Sequence, residues 1–119
     1  MPGRFEDLLV WQKSRDLTRL IYELTGTTPF SRDFGLRDQM RRPAVLAMSN
    51  IAEGFEREGD PEFGHFLSIA KGSCGEVRSH LYVARDQGYV DEGAFEGASE
   101  RAVEVSRMLH GLSNTVRRR

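Results

Sequence analysis

The sequence contains little cysteine and little proline, and neither sign of charge is in excess. One of its 119 residues is cysteine and four are proline. The single cysteine, Cys74, has no partner for a disulfide within the chain, which excludes a disulfide-stapled fold and fits a reducing compartment. Seventeen Lys and Arg residues oppose eighteen Asp and Glu residues, for a net charge of −1. Because generic nucleic-acid-binding proteins are clearly basic, any such role requires a local patch of positive charge.

Long apolar runs are absent as well. No uninterrupted apolar segment approaches the ~20 residues that span a bilayer, and residues 1–7 carry no apolar run of the signal-peptide kind. These absences predict a cytoplasmic protein with no membrane partner. A chain of 119 residues can bury roughly two thirds of its unfolded surface, so we expect a single domain over residues 1–119.

What the sequence does contain is a helical apolar period, interrupted at residues 27–31, 54–61 and 88–91. Between these breaks apolar residues recur every three or four positions, and no window alternates as a strand would. The last segment keeps a strict 4-3-4-3-4 spacing, carried by Ala98, Ala102, Val105, Leu109, Leu112 and Val116. Asp60 and Asp91 stand where helix N-caps are expected. The pattern predicts an all-α protein, an antiparallel up-and-down four-helix bundle.

Three of the predicted helices carry, besides the apolar stripe that faces the core, a second face whose residues are not those expected on a solvent-exposed helix surface of a monomer. In the third helix, a row of small residues lies opposite the core stripe: Ser68, Gly72, Gly75 and Ser79. A glycine inside a helix costs about 1 kcal/mol relative to alanine, so the row predicts close approach by another helix. The first helix repeats this spacing with Trp11, Arg15, Thr18 and Tyr22, and the second adds Leu46 on its far side.

Self-association accounts for all three second faces, because Trp, Tyr and Arg are enriched where proteins bind each other. Two alternatives stay open. The glycines fit neutral drift on an exposed face, and Trp11 and Tyr22 fit packing at the edge of the bundle's own core.

Four separated motifs follow one another along the chain. They are Phe5-Glu6-Asp7-Leu8-x-Val10-Trp11-Gln12-Lys13, Arg41-Arg42, Ser49-Asn50-Ile51-Ala52-Glu53-Gly54 and Phe66-Leu67-x-Ile69-Ala70-x-Gly72-Ser73-x-x-Glu76. In these motifs the chain resembles the bacterial four helix bundle protein family, some of whose members are encoded within intervening sequences of large-subunit ribosomal RNA genes. The resemblance implies a bundle that assembles as a homopentamer. A related bundle, the accessory variability determinant of diversity-generating retroelements, binds nucleic acid and a reverse transcriptase.

Two features depart from this resemblance. The chain is not basic as the retroelement proteins are, and Pro43 stands where the family usually has alanine. Proline inside a helix removes a hydrogen bond at a cost of ~3 kcal/mol or more. The second helix is therefore expected either to bend at Pro43 or to begin its regular part near Arg42.

Four polar residues belong to the family-like motifs: Asn50, Glu53, Ser73 and Glu76. We expect them to form a structural hydrogen-bond network between helices or between subunits, with Arg41 or Arg42 pairing with a glutamate, since a buried carboxylate needs a charged partner. The alternative is a ligand site lined by these groups.

Residues with catalytic or metal-binding chemistry are few. A bundle that houses two metals needs two Glu-x-x-His motifs, and only Glu62 to His65 matches. Cys74 lies on the apolar stripe of the third helix, which indicates a buried and inert thiol. No phosphate-binding glycine loop or Ser-His-Asp signature is visible. We therefore expect no enzymatic activity, no catalytic residues, no metal and no cofactor.

Positive charge is concentrated on one flank of the third helix. Lys71, Arg78 and Arg85 follow each other at seven-residue spacing, and Arg41, Arg42 and residues 117–119 are candidates to extend the set. Two functions follow. In the first the protein is a non-enzymatic homo-oligomeric scaffold, expected to be pentameric, that recruits other proteins. In the second this flank binds RNA or DNA through phosphate contacts. The competing interpretation is that these cations pair with carboxylates on neighbouring helices.

Overall fold

The computed structural model describes residues 1–119 and contains four α-helices and no strand. The helices are α1 (Leu9–Thr25), α2 (Phe34–Glu56), α3 (Asp60–Asp86) and α4 (Glu92–Arg117), and short 3-10 helices at Phe5–Asp7 and Phe30–Arg32 precede α1 and α2. They form an elongated body of 46 × 20 × 19 Å. The predicted all-α four-helix bundle is confirmed. None of the four helices combines the length and the apolar composition that crossing a bilayer requires.

Each helix packs mainly against two neighbours. The pairs α2–α3 and α3–α4 have the most extensive contacts, and α1 packs against α2 and α4. Helices α1 and α3 therefore lie on a diagonal of the bundle. The surface between α3 and α4 therefore lies on the side of the molecule opposite the surface between α1 and α2.

The apolar stripes form a single core. Five of the six residues in the 4-3-4-3-4 pattern of α4 are buried, and the sixth, Leu112, packs half-buried against them. The core also takes up hydroxyl groups that the apolar pattern did not identify. Thr25 is fully buried, donates to the carbonyl of Ile21 at 2.6 Å and accepts from Arg41 Nε at 2.8 Å. Because this hydroxyl has hydrogen-bond partners, Thr25 can occupy a core position where the helical period would place an apolar residue.

Two of the connections are fixed by side chains at the helix starts. The Asp33 carboxylate accepts from the Leu36 amide at 3.1 Å, and the Asp91 carboxylate accepts from the Ala94 amide at 2.8 Å. Asp60 was expected to cap α3 in the same way, but it is the first helical residue and its carboxylate accepts from Arg119 at 3.2 Å. The residue before it, Gly59, has φ = +98°, a conformation that glycine adopts without strain.

Pro43 lies inside α2. The helix begins at Phe34, so the expectation that its regular part begins near Arg42 is wrong. The physical reason is that the Asp33 cap and the buried side chains of Leu36 and Met40 already hold the first turns of α2. Pro43 is itself buried, so its ring fills a core position at the cost of one helical hydrogen bond.

Candidate functional site

A groove between α3 and α4 carries the main concentration of free positive charge. It consists of two adjoining cavities of about 410 and 300 Å³ that share Lys71 and His110. Its cations come from both walls, and we call this site the basic groove: Lys71 and Arg78 on α3, Arg107 and Arg117 on α4. The polar groups between them are Ser68, Ser106, His110, Ser113 and Asn114, and no Asp or Glu lines either cavity.

The cations of the basic groove have no carboxylate partner. Lys71, Arg78 and Arg107 take part in none of the ion pairs of the chain. Arg117 donates to neutral acceptors, the Ser68 hydroxyl at 2.9 Å and the Gly64 carbonyl at 3.4 Å. None of the four is therefore held by an ion pair within the chain, and their charge is available to an anion; Arg107 also lines a neighbouring cavity that contains Glu100 and Glu104.

Arg85 differs from the two other cations on its flank. Its guanidinium lies 3.7 Å from Glu92 and 4.0 Å from Asp86, and it stacks on the Tyr82 and Phe95 rings at 5.1 and 4.4 Å. The interpretation that these cations pair with carboxylates thus holds for Arg85 and not for Lys71 or Arg78. Arg85 joins α3 to the start of α4 and belongs to the packing of that end of the bundle.

Arg41 and Arg42 of α2 do not extend the groove. Arg41 Nε donates to the Thr25 hydroxyl at 2.8 Å, and its guanidinium lies 4.4 Å from the Tyr22 ring centroid, both on α1. Neither Arg41 nor Arg42 forms the expected pair with a glutamate within the chain. Both belong to α2, across the bundle from α4.

Sequence reasoning missed Arg107 and His110, which the fold brings to the groove from α4. The pairs Arg85–Glu92 and Arg117–Gly64 fix the antiparallel register of α3 and α4, and that register places residue 107 close to the level of Lys71. A search confined to the spacing along one helix does not reveal such neighbours.

The aromatic face of α1 is partly used within the chain. Trp11 is half-buried, with its ring 5.2 Å from Phe5 in an edge-on contact and the Arg15 guanidinium 5.8 Å away. Tyr22 is 44% exposed and is covered on one side by Arg41. Trp11 thus packs at the edge of the bundle's own core, whereas Tyr22 is exposed and does not pack against that core.

The small-residue row of α3 faces outward. A Cβ atom added at Gly72 or Gly75 would meet no atom within 4 Å, whereas Ser68 is held by Arg117. Apolar side chains flank the row: Leu46 of α2 and Ile69 and Val83 of α3 are 39%, 40% and 42% exposed. We call these three residues with Gly72 and Gly75 the apolar outer surface. It is one of several places where large apolar side chains are exposed; Leu9 and Phe34, at 57% and 63%, lie outside it.

The four polar residues of the family-like motifs are not hydrogen-bonded to one another within the chain. Asn50 donates to the carbonyl of Leu46 in its own helix at 2.8 Å, and Glu53 accepts twice from Arg57, at 2.7 and 3.0 Å. Ser73 is buried and Glu76 is exposed, and neither bonds to the other two. The expected network between helices of one chain is therefore not formed, because Asn50 and Glu53 bond within their own helix region. A network between subunits stays a prediction.

The remaining reactive groups are occupied or protected. Burial raises the pKa of the Cys74 thiol to about 11, because the thiolate is disfavoured away from water. Glu62 lies 3.9 Å from Arg57, and the His65 ring lies edge-on to Phe66 at 5.8 Å. No three His, Cys, Asp or Glu side chains lie together in an arrangement that could hold a metal ion. The chemistry the site offers is thus the binding of anionic groups.

Comparison with known proteins gives the following findings. A model of the 23S rRNA-intervening sequence protein family matches residues 6–111. A protein of unknown function from the S23 ribosomal protein family of Bacteroides thetaiotaomicron has a crystal structure that matches with a TM-score of 0.81, over 88% of this chain and 98% of that chain. The two chains are 19% identical, so this likeness shows the fold alone. No match was found among the curated proteins.

Proposed function

This chain belongs to the 23S rRNA-intervening sequence protein family, and we propose that it is a non-enzymatic scaffold that assembles with copies of itself and recruits other proteins. We propose an assembly of five copies, as the resemblance to four helix bundle proteins implies. The observation that carries the proposal is the apolar outer surface, where apolar side chains and glycines face away from the core of the chain.

The glycines give the strongest support. Nothing within the bundle requires glycine at Gly72 or Gly75, since a side chain there would meet open space. Each glycine nevertheless costs the helix about 1 kcal/mol relative to alanine. A second helix that packs closely against α3 accounts for this, because glycine lets two backbones approach. Burying the exposed parts of Leu46, Ile69 and Val83 would add about 1 kcal/mol each.

The assembly is tested by light scattering coupled to size-exclusion chromatography. We expect the wild-type chain to elute with about five times the mass of the 13.5 kDa protomer. We expect Gly72→Leu to lower the mass while helicity is retained, because the new side chain blocks the approach of the second helix and its Cβ meets no atom of its own chain within 4 Å. The matched control is Gly111→Leu, also in open space but on α4. A wild-type protein that stays monomeric at micromolar concentration, or a Gly72→Leu variant of unchanged mass, would overturn the proposal.

A second candidate function is the binding of RNA or DNA, and the basic groove favours it. Four cations from two helices surround a groove that holds no carboxylate, so the net charge of −1 does not describe the local potential. Lys and Arg in such a groove bind phosphates without sequence preference.

This second function is tested by retention on heparin and by binding of a labelled RNA at low salt. We expect Lys71→Glu with Arg78→Glu to abolish retention. The control variant is Arg32→Glu with Arg42→Glu, which makes the same change of net charge at two exposed arginines that form no ion pair. Equal losses in the two variants, or no retention of the wild type even at very low ionic strength, would count against a site in the groove.

A further inference from the structure

We propose that copies of the chain join head to tail, so that α1 of one copy packs along α3 of the next and the two helices are linked by an ion pair between Arg15 and Glu76. This inference rests on the first function proposed above and names the surface that covers the apolar outer surface in the assembly. It follows from two surface stripes, one on each helix, that match in spacing, in charge and in shape.

The two stripes have the same spacing. The first, which we call the α1 stripe, consists of Trp11, Arg15, Thr18 and Tyr22. The second, which we call the α3 stripe, consists of Gly72, Glu76, Ser79 and Val83. Both follow a 4-3-4 pattern, which keeps side chains in line on one side of a helix and is the spacing at which two helices pack along each other. Every member of both stripes is exposed or half-buried, so neither stripe is used up by the core.

Each stripe carries one charge that has no partner in its own chain. Arg15 is exposed and lies over the Trp11 ring, 5.8 Å from its centroid, but it forms no ion pair. Glu76 is exposed and forms none either. Setting the stripes side by side with Arg15 against Glu76 compensates both charges, and complementary charges of this kind fix the register of an interface.

The same alignment fits the other side chains. It sets Trp11 against Gly72, where an added Cβ would meet no atom of its own chain within 4 Å, so there is space for the exposed part of the indole. It sets Tyr22 against Val83, and these side chains are 44% and 42% exposed in the single chain. Mutual burial of these apolar groups is favourable, and Trp, Tyr and Arg are the residues that contribute most to protein interfaces.

The alignment also agrees with the heights of the two helices in the bundle. Helices α1 and α3 lie on a diagonal and run in the same direction, so a copy rotated about an axis along the bundle presents its α1 parallel to α3 and at the same height. Through the Lys13–Glu104 ion pair at 3.4 Å and the register of α4 on α3, Lys13 lies level with about residue 75 of α3. Through the contacts of α2 with its two neighbours the level is about residue 70. The alignment of the stripes requires about residue 74, which lies within this range.

The two stripes face neighbouring sides of the bundle. The α1 stripe lies on the side of α1 toward α2, since the Tyr22 ring lies 4.4 Å from the Arg41 guanidinium. The α3 stripe lies among the residues of the apolar outer surface. At about 100° per helical residue the two stripes point roughly a right angle apart. Head-to-tail contacts at roughly this angle close into a ring of about four or five copies instead of extending as a filament.

The inference is tested by reversing the two charges separately and together, with the mass measured by light scattering over a dilution series. Arg15→Glu and Glu76→Arg should each raise the concentration at which the assembly dissociates at least about tenfold, because each sets like charges face to face. The double variant restores an opposite pair and should dissociate within about threefold of the wild type. The control is Arg19→Glu, an exposed arginine of α1 that forms no ion pair and lies off the α1 stripe. It should leave the dissociation unchanged, and circular dichroism verifies that all variants are folded.

Cross-linking tests the alignment in a way that does not depend on the strength of the assembly. Tyr22→Cys with Val83→Cys should form disulfides between copies under mild oxidation. Since each copy offers a different cysteine to each of its two neighbours, a ladder of species larger than a dimer should appear on a non-reducing gel. Either single variant should form no ladder, and the buried Cys74 should not take part.

The outcomes separate the inference from the function on which it rests. An assembly whose dissociation is unchanged by Arg15→Glu or by Glu76→Arg would retain self-association and overturn the head-to-tail contact. A double variant that does not recover, or a double-cysteine variant that forms no ladder, would also overturn it. A wild-type chain that stays monomeric would overturn the proposed assembly and the inference together.

Discussion

Gly54 provides the sharpest test of the packing between α2 and α3. A Cβ atom added at this position would lie 2.7 Å from the Cβ of Phe66 and 3.1 Å from Cδ1 of Phe63. The first of these atoms is attached directly to the backbone of α3, so it cannot move aside by a change of rotamer. Gly54→Ala therefore forces the two helices apart at this level or distorts one of them.

Two opposing contributions set the change in the free energy of unfolding. Overpacking a close contact costs about 1–3 kcal/mol, and an approach of 2.7 Å to an atom fixed to the backbone belongs to the upper part of this range, about 2–3 kcal/mol. Replacing glycine by alanine inside a helix returns about 1 kcal/mol. We expect Gly54→Ala to lower the free energy of unfolding by about 1–2 kcal/mol, which for a chain of this size lowers Tm by about 4–8 °C.

Thermal unfolding followed by circular dichroism measures this change, and Gly111→Ala is the matched control. Gly111 also lies within a helix, but a Cβ there would meet no atom within 4 Å. The control should be stabilised by about 1 kcal/mol, because only the helix-propensity term acts. If Gly54→Ala were as stable as the wild type or more stable, the close approach of α2 and α3 would be refuted.

Two further predictions concern titratable groups. The Cys74 thiol, whose pKa burial raises to about 11, should resist a disulfide exchange reagent at pH 8 in the folded protein and react at once in concentrated guanidinium. The hydrogen bond that Tyr89 donates to Asp33 raises the pKa of Tyr89. The stability that this hydrogen bond contributes is therefore complete below about pH 10 and is lost above it. At alkaline pH the Tm of Tyr89→Phe should accordingly fall less steeply than the Tm of the wild-type protein.

The family and the fold could be predicted from the sequence because both depend on local patterns. The apolar period alone places Leu67, Ala70 and Val77 in the core, where the structure has them. The family suggested by the motifs is confirmed by the match over residues 6–111. The start of α2 could not be predicted in the same way. Pro43 left two alternatives open, a bend at that position or a regular part that begins near Arg42; the second is wrong because tertiary burial of the first turns of α2 outweighs the missing hydrogen bond of Pro43.

Only part of the candidate site could be predicted from the sequence. Lys71 and Arg78 could be identified because seven-residue spacing keeps them on one flank of a helix. Whether a cation is free or paired depends on residues of another helix, and this is why Arg85 could not be distinguished from them. Its partner Glu92 stands seven positions along the chain, yet only the turn between α3 and α4 brings the two together. Buried polar residues such as Thr25 could not be predicted for a related reason, since a hydrogen-bond partner lies on another helix.

The apolar outer surface and the basic groove occupy neighbouring sides of α3, so assembly and strand binding are compatible in principle. Gly72 and Gly75 face open space, while Lys71 and Arg78 turn toward α4. An assembly formed through the glycine face would therefore repeat the groove once in every subunit. A strand long enough to reach several grooves would then bind far more tightly than a hexanucleotide, because each further contact is intramolecular. Since that gain requires the assembly and the groove together, a Gly72→Leu variant should lose the advantage of long strands while its affinity for hexanucleotides is unchanged.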